Sequence, residues 1–307
     1  MSRIKNLQDR AHMLSQARQF FAERGVLEVD CPIMSRGAAI DVNIDLVSAI
    51  YSQTETCYLH SSPEYGMKRL LSEGIGDIYQ LSHVFRDGEQ SAKHNPEFMM
   101  AEWYRLGITF EQMMEETVDF CRLFLGSLPS STISYRDALR KYTSIDHVTA
   151  SDQELRDYLA ERGTLDADAD RDVLLNYVLG IDVEPHLSEN ELTVLAYYPA
   201  TQAALARTIG HGKEAVAERF EIYYKGVELA NGYHELTDGK EQRRRFEHDN
   251  AERVAKGKSS LPIDEPFLKA LEKGLPDCCG VAVGFDRLMM LRLGAKSLRE
   301  VIPFVWH

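Results

Sequence analysis

Three glutamates, Glu221, Glu228 and Glu235, stand seven residues apart in Phe220-Glu-Ile-Tyr-Tyr-Lys-Gly-Val-Glu-Leu-Ala-Asn-Gly-Tyr-His-Glu235. On one continuous strand that spacing would alternate their faces, because strand side chains repeat every second residue. Lys225-Gly226 changes this: as a hairpin turn it pairs Tyr223 with Glu228 and Glu221 with Ala230, which makes Glu221 and Glu228 diagonal neighbours on one face. Two carboxylates so placed repel unless a cation joins them. Hard oxygen ligands suit Mg²⁺, which commonly takes one or two carboxylates and completes its shell with substrate phosphates. A pair of solvated sheet-face glutamates is the plainer alternative. Glu235 lies beyond Asn231-Gly232, so it need not share the metal and could face a cationic substrate.

Arg86 follows Leu81-Ser-His-Val-Phe85 and opens a polar segment that ends at His94-Asn-Pro-Glu-Phe98. An arginine at that point can clamp a phosphate through two parallel hydrogen bonds. On the returning strand Phe98, Met100, Glu102 and Tyr104 share a face, so an aromatic plane, a carboxylate and a phenol line one surface. If that surface were core, Glu102 would need a partner. Near the C-terminus, Gly280-Val-Ala-Val-Gly-Phe-Asp-Arg287 alternates in size. A strand over 281–285 puts Val281, Val283 and Phe285 on one face and Ala282 and Gly284 on the other, bare enough to admit something flat or to let strands pack tightly. Asp286 then caps a helix running through Leu288, Met289, Leu291 and Leu293 to Gly294, with Arg287 on its first turn near an anion.

These residues need elements to hold them. Leu7, Ala11, Leu14, Ala17 and Phe21 recur at helical spacing, and Gly25 supplies the stop. Val26-Leu-Glu-Val29 reads as a strand, and Pro32, lacking a donor N–H, belongs at its end or at a sheet edge. Ser62 as cap with Pro63 at the first position signals a second helix, with Met67, Leu70 and Leu71 inward and Gly74 after it. Residues 77–85 and 96–105 have the pattern of two antiparallel strands joined by a long loop. Residues 111–125 and 152–161 read as helices, and 163–192 is acidic and less regular. Asp166, Asp168, Asp170 and Asp172 imitate the start of a calcium loop. Arg171 stands where that loop needs glycine and Tyr177 where it needs a bidentate glutamate, so calcium is rejected. The whole predicts an α+β fold on an antiparallel sheet flanked by helices.

The chain has 307 residues, 44% hydrophobic and 27% charged, enough for a large core. No apolar run approaches the roughly 18 residues of a membrane span and the N-terminus has no signal-peptide core, which places the chain in the cytoplasm. Five cysteines without CxxC spacing make neither a disulfide framework nor a zinc site. The net charge of −13 argues against gripping a nucleic-acid backbone. Arg243-Arg244-Arg245 alternates with Glu241, Glu247, Asp249 and Glu252, the pattern of a solvated helix face.

Gly280 to Arg287 resembles motif 3 of the class II aminoacyl-tRNA synthetases. The Arg86 loop and its return strand resemble motif 2, and Val29-Asp-Cys-Pro32 resembles motif 1, which forms the dimer interface. The resemblance covers nearly the whole chain and implies a single class II catalytic domain over 1–307. It implies that Arg86 and Arg287 are catalytic and meet ATP, that Asn95 and Phe98 embrace the adenine, and that Leu229 and Gly284 lie beside the nucleotide. Asp87 and Gly88 fall in the nucleotide loop, although lysine-type synthetases carry Arg-Asn-Glu where this chain has Arg86-Asp87-Gly88 before Glu89. The glutamate run resembles that of the lysyl-tRNA synthetases, so Glu221 and Glu228 are expected to meet ATP and its Mg²⁺. Asn231 and Glu235 are expected to bind the amino acid, Glu235 by its side-chain ammonium. Ser62-Pro63-Glu64 resembles the amino-acid-binding turn, with Glu64 aimed at an amino group, and Glu102 and Tyr104 reach the same pocket.

The first helix begins within ten residues of Met1, which leaves no room for an upstream anticodon-binding OB domain. With the acidic balance, the chain resembles the elongation factor P–(R)-β-lysine ligases, stand-alone paralogues of lysyl-tRNA synthetase. That implies activation of (R)-β-lysine with ATP, transfer to a lysine of elongation factor P, no use of tRNA or membrane, and a homodimer. Ser62 replaces the alanine of the synthetases, and Ala282 stands where they carry glycine. One methyl in a snug pocket is worth roughly 1–3 kcal/mol in discrimination. The alternatives are a lysine-activating enzyme with another acceptor, a tRNA or a small amine, and a catalytically silent regulatory paralogue. A class II asparagine synthetase is a third, whose acidic substrate fits poorly beside Glu64, Glu102 and Glu235.

Overall fold

The computed structural model describes residues 3–163, 169–187 and 189–306. The chain forms two compact units, one of Met1–Gly126 with Glu235–His307 and one of Ser127–His234. The first begins with α1 (Arg3–Ala22), β1 (Leu27–Glu28), β2 (Met34–Ser35), β3 (Ser48–Tyr51), β4 (Glu55–Leu59) and α2 (Glu64–Ser72). It continues through β5 (Ile78–Phe85), β6 (Glu97–Leu106) and α3 (Phe110–Leu125). The second unit holds β7 (Ser130–Ser134), α4 (Tyr135–Thr143), α5 (Asp152–Ala160), α6 (Arg171–Val178), β8 (Leu192–Pro199), β9 (Thr208–Ile209), β10 (Val216–Tyr224) and β11 (Val227–His234). The chain returns to the first unit with α7 (Gly239–Ala255), α8 (Glu265–Gly274), β12 (Cys278–Gly284) and α9 (Phe285–Arg292).

In the first unit the strands run β1-β5-β6-β12, antiparallel except for the β1–β5 pair, and β2-β4-β3 form a small second sheet. The α+β expectation holds, and β5 and β6 are the two antiparallel strands read from residues 77–105. Their register sets Tyr104 between Ile78 and Gly280, Glu102 between Gln80 and Ala282, and Met100 between Ser82 and Gly284. Phe21 of α1 stacks on Tyr79 with ring centroids 4.1 Å apart and packs on Trp103 and Phe120, which seals α1 and α3 against the sheet.

α1 forms where its spacing predicts, but its inward face is different. The buried residues are Asn6, Arg10, Met13, Ala17, Phe20 and Phe21, while Ala11 is exposed. Apolar periodicity misses this face because two of its members are polar: Asn6 donates to the Glu300 carbonyl, and Arg10 pairs with buried Asp286. Asp286 is therefore not the helix cap. α9 starts one residue earlier, and the Asp286 carboxylate accepts the Met99 N–H of β6 at 2.8 Å. Ser62 is displaced in the same way: α2 starts at Glu64 after Pro63, and the Ser62 hydroxyl serves β6 as well as the turn.

The second unit is a sheet in the order β11-β10-β8-β7, with β9 beside β10, backed by α4, α5 and α6. Lys225 and Gly226, both at positive φ (51° and 63°), make the two-residue hairpin turn. Tyr223 pairs with Glu228 as expected. A bulge between Ile222 and Tyr223 then shifts the register, so Glu221 faces Asn231 and not Ala230. Asp166 and Asp168 lie outside the described residues, and Asp170 caps α6 through the Val173 N–H. In α7, Arg244 and Arg245 pair with Glu241, and Arg243 pairs with Glu265 of α8, so the arginine run is spent on internal ion pairs. All five cysteines are buried and free. Among the described residues no helix is long and apolar enough to cross a membrane.

Asp286→Ala should leave the Arg10 guanidinium buried without its partner and the Met99 N–H without an acceptor. The expected loss is about 3–5 kcal/mol, read from the midpoint of urea unfolding at constant m-value; a loss under about 1 kcal/mol would show that the pair is not holding α1 and α9 to the sheet.

Candidate active site

The first unit gathers charged side chains behind β6. Lys68 of α2 is 1% exposed, and its Nζ lies 2.5 Å from Glu64 Oε1 and 2.6 Å from Glu235 Oε2. Glu102 accepts the Ser62 hydroxyl at 2.6 Å and the Tyr104 hydroxyl at 2.8 Å. Glu235 Oε1 is buried with no hydrogen-bond partner among the described residues. Ser62, Pro63, Glu64, Glu102, Tyr104 and Glu235, expected to make an amino-acid pocket, thus come from α2, its preceding turn, β6 and the segment before α7, and the structure joins Ser62, Glu64, Glu102, Tyr104 and Glu235 through direct contacts or the shared Lys68.

Space for them comes from β12. Val281 and Val283 are buried on one face, while Ala282 and Gly284 are only partly covered on the other. Gly280 shares that bare face. A Cβ there would sit 2.3 Å from Tyr104 Cε1 and 2.4 Å from Glu235 Oε1, so only glycine admits both side chains. Ala282 stands opposite Glu102.

Burial pushes the Glu102 carboxyl up, to about 7, with Glu64 adding to the effect. Burial also raises Glu235, and Lys68 is the largest opposing influence. Burial works against the charge on Lys68 itself, but Glu235 and Glu64 outweigh it and hold the ammonium above its usual range. The cluster is acidic and under electrostatic tension, and a cation entering it would favour the ionised carboxylates.

The expected phosphate loop is built beside this pocket's strand. Arg86 follows β5, its guanidinium lies 5.1 Å from the centroid of the Phe98 ring, and its buried Nε has no hydrogen-bond partner among the described residues. Glu89 is 3.7 Å away from the Arg86 guanidinium, and the Asp87 N–H bonds to the Asp45 carbonyl. Gly88 sits at φ 74°, a turn conformation that explains the glycine without any ligand. Asn95 donates to the Glu97 carbonyl and accepts the Trp306 N–H, so the C-terminal segment pins the end of the loop. Arg287 donates to His94 Nε2 at 2.8 Å. Because a guanidinium can only donate, the His94 proton is on Nδ1 and points to Ser91 Oγ, 2.8 Å away. An added Cβ at Gly284 would meet Arg287 Cδ at 3.5 Å, an ordinary contact, so the Arg287 side chain does not by itself require the glycine.

In the second unit, Glu221 is engaged on both oxygens: Oε1 by Arg219 at 2.6 Å, Oε2 by the hydroxyls of Tyr198 and Tyr223 at 2.7 and 2.5 Å. A carboxylate has about four acceptor positions, so one remains beside the three in use. Hard oxygens from Glu221 and from Glu228, opposite Tyr223, fit a divalent cation that brings further ligands of its own. Among the described residues no three His, Cys, Asp or Glu side chains form a cage by themselves. Leu229 is buried, and Asn231 donates to the Tyr233 hydroxyl while its buried Oδ1 has no partner among the described residues.

Lys68, Gly280, His94 and Arg219 are the additions the sequence reading did not single out. Two had a signal: Glu64 and Lys68 are four apart at the start of a helix, on one face, and Gly280 shares strand parity with Ala282 and Gly284.

A model of the class II tRNA synthetases (D, K and N) matches residues 2–306. The chain is 46% identical to the elongation factor P–(R)-β-lysine ligase of Salmonella gallinarum, over 98% of this chain and 95% of that protein. It is 45% identical to the proteins of that name in Salmonella paratyphi B and Salmonella schwarzengrund, with the same coverage.

Because the folded-state pKa of Glu102 lies above its ordinary 4.5, the native state holds its proton more tightly than the unfolded chain does. Its contribution is therefore fully present below about pH 4.5 and is lost as pH rises towards about 7, on the order of 3 kcal/mol in all. Glu102→Gln removes this dependence. Urea unfolding should show the variant gaining on the parent between about pH 5 and about pH 8; a constant difference would show that Glu102 is not a strained acid.

Proposed function

The chain belongs to the family of class II tRNA synthetases (D, K and N), and on that premise we propose that it is an ATP-dependent ligase that activates (R)-β-lysine as an adenylate and passes it to a lysine side chain of elongation factor P. The observation that carries the reading is the cluster of half-buried Glu64 with buried Glu102 and Glu235, in which Glu235 Oε1 has no hydrogen-bond partner among the described residues. Such a pocket suits ammonium groups and repels an acidic substrate. The relatives named for this activity support the choice of β-lysine and of its acceptor.

In this reading Glu64 and Glu235 take the two ammonium groups, and Glu102, Tyr104, Ser62, Pro63 and Ala282 line the pocket. Asn95, Phe98, Asp87, Gly88 and Gly284 receive the nucleotide. In the second unit, the resemblance assigns Leu229 to the nucleotide and Asn231 to the amino acid. Mg²⁺, held by Glu221 and Glu228, would neutralise phosphate charge when bound. Arg86 donates to the α-phosphate as the β-lysine carboxylate attacks it, and Arg287 helps to spread the phosphate charge. A carboxyl-to-phosphorus bond forms as the bond to pyrophosphate breaks. The acceptor amine then attacks the acyl carbon, an amide forms, AMP leaves with the bonding pair, and the amine gives up a proton. No protein nucleophile is needed, so catalysis is orientation and electrostatics.

The net charge of −13 supports a protein acceptor over tRNA and fits a cytoplasmic protein. Leu27, Met34, Ile50 and Tyr51, large and exposed near the motif 1 segment, support a homodimer. ATP–pyrophosphate exchange should be fastest with (R)-β-lysine, and label should pass to elongation factor P. Faster exchange with α-lysine together with charging of tRNA, or of a small amine, would overturn the reading. Arg287→Ala should slow exchange by about 10²–10³-fold.

A further inference from the structure

We propose that Lys68 is a positioning residue for the amino-acid pocket: it biases Glu235 towards its ionised form and aims that carboxylate at the incoming ammonium group. The inference rests on the proposed function, because it names how that pocket meets its substrate. Lys68 lies on the second turn of α2, wholly buried, and one ammonium spans Glu64 and Glu235 at 2.5 and 2.6 Å. The rings of Tyr104 and Phe267 flank it, each centroid 6.0 Å from Nζ. A methionine would fill the same space, so the charge serves the two carboxylates, which would be left without a cation if it were removed.

What the charge does is visible at Glu235. Lys68 Nζ lies 2.6 Å from Oε2 as an ion pair, while both buried oxygens lack a well-aligned hydrogen bond among the described residues and Oε1 sits beside the space that Gly280 leaves open. A buried acceptor left unmade costs free energy until a donor arrives. The groups that face Glu235 are Lys68 and Glu64 from α2, Glu102 and Tyr104 from β6, and Cys278 of β12. Apart from Lys68 they are acidic or neutral, so without it the Glu235 carboxyl would take up a proton and present a carboxylic acid to the substrate. Burial already pushes Glu235 in that direction, and Lys68 is the main resistance. Three carboxylates and one ammonium leave a formal charge of −2 for a substrate that carries two ammonium groups.

The test is the pH profile of KM for (R)-β-lysine in pyrophosphate exchange, for the parent, Lys68→Met, Lys68→Gln and Lys68→Arg. Without the cation, substrate must displace a more tightly held proton, a penalty that fades as pH rises past the pKa of the carboxyl. The Met and Gln variants should show KM raised about tenfold near about pH 6.5 and about threefold or less near about pH 8.5, while the Arg variant, which keeps the charge, holds a constant ratio to the parent. A KM ratio independent of pH in whichever neutral variant folds, or the same slope in the Arg variant, overturns the role and leaves the substrate reading intact. No exchange by the parent with either lysine isomer overturns the substrate reading and this inference with it.

Discussion

Opposite three large residues on one face of β6 stand residues with almost no side chain on β12: Tyr104 meets Gly280, Glu102 meets Ala282 and Met100 meets Gly284. Directly opposed strand residues place their Cβ atoms about 4.5–5.5 Å apart, so two full side chains would fill the face with one another. Here one strand withholds its half. Tyr104 and Glu235 occupy the place that a Gly280 Cβ would need, and from that position Tyr104 hydrogen-bonds Glu102. The opposite face, with Val281 and Val283 buried, supplies the packing that a bare strand would otherwise lack.

Charge follows from that geometry. A carboxylate buried at Glu102 or Glu235 loses water and is driven towards its protonated form, and the fold answers with two neutral hydroxyls at the first and an ammonium at the second. The arrangement is stable but unsaturated. It leaves an acceptor oxygen without a partner among the described residues and more carboxylates than ammonium groups. Arg86 mirrors it with the opposite sign: its buried donor Nε has no hydrogen-bond partner among the described residues.

The local pieces were legible in advance because their signals lie within a few residues. Lys225-Gly226 declared its turn through the conformations those residues accept, and the β5–β6 hairpin declared itself through branched and aromatic runs around a polar loop. Two errors share one cause. Asp286 looked like a helix cap and Ser62 likewise, yet both side chains turn to β6, the first to the Met99 N–H and the second to Glu102. A capping residue is recognised by its neighbours in sequence, whereas a competing partner more than thirty residues away leaves no local mark. α1 failed in the same way, since Arg10 is buried only because Asp286 waits for it.

The sequence by itself determined which chemistry is available: glutamates for ammonium and magnesium, arginines for phosphate, a strand of alternating size to make room, and an acidic surface ill suited to nucleic acid. These are properties of residue types at short spacing, and periodicity and turn chemistry carry them. Only the tertiary structure decided how the charges are shared. The bulge between Ile222 and Tyr223 moved Glu221 opposite Asn231 and into the hands of Arg219, Tyr198 and Tyr223. The packing of α2 behind β6 buried Lys68 between two carboxylates that lie 171 residues apart in the chain, at positions 64 and 235. Electrostatic interaction depends on distance through space and on the water excluded along the way, and neither can be read from order along the chain.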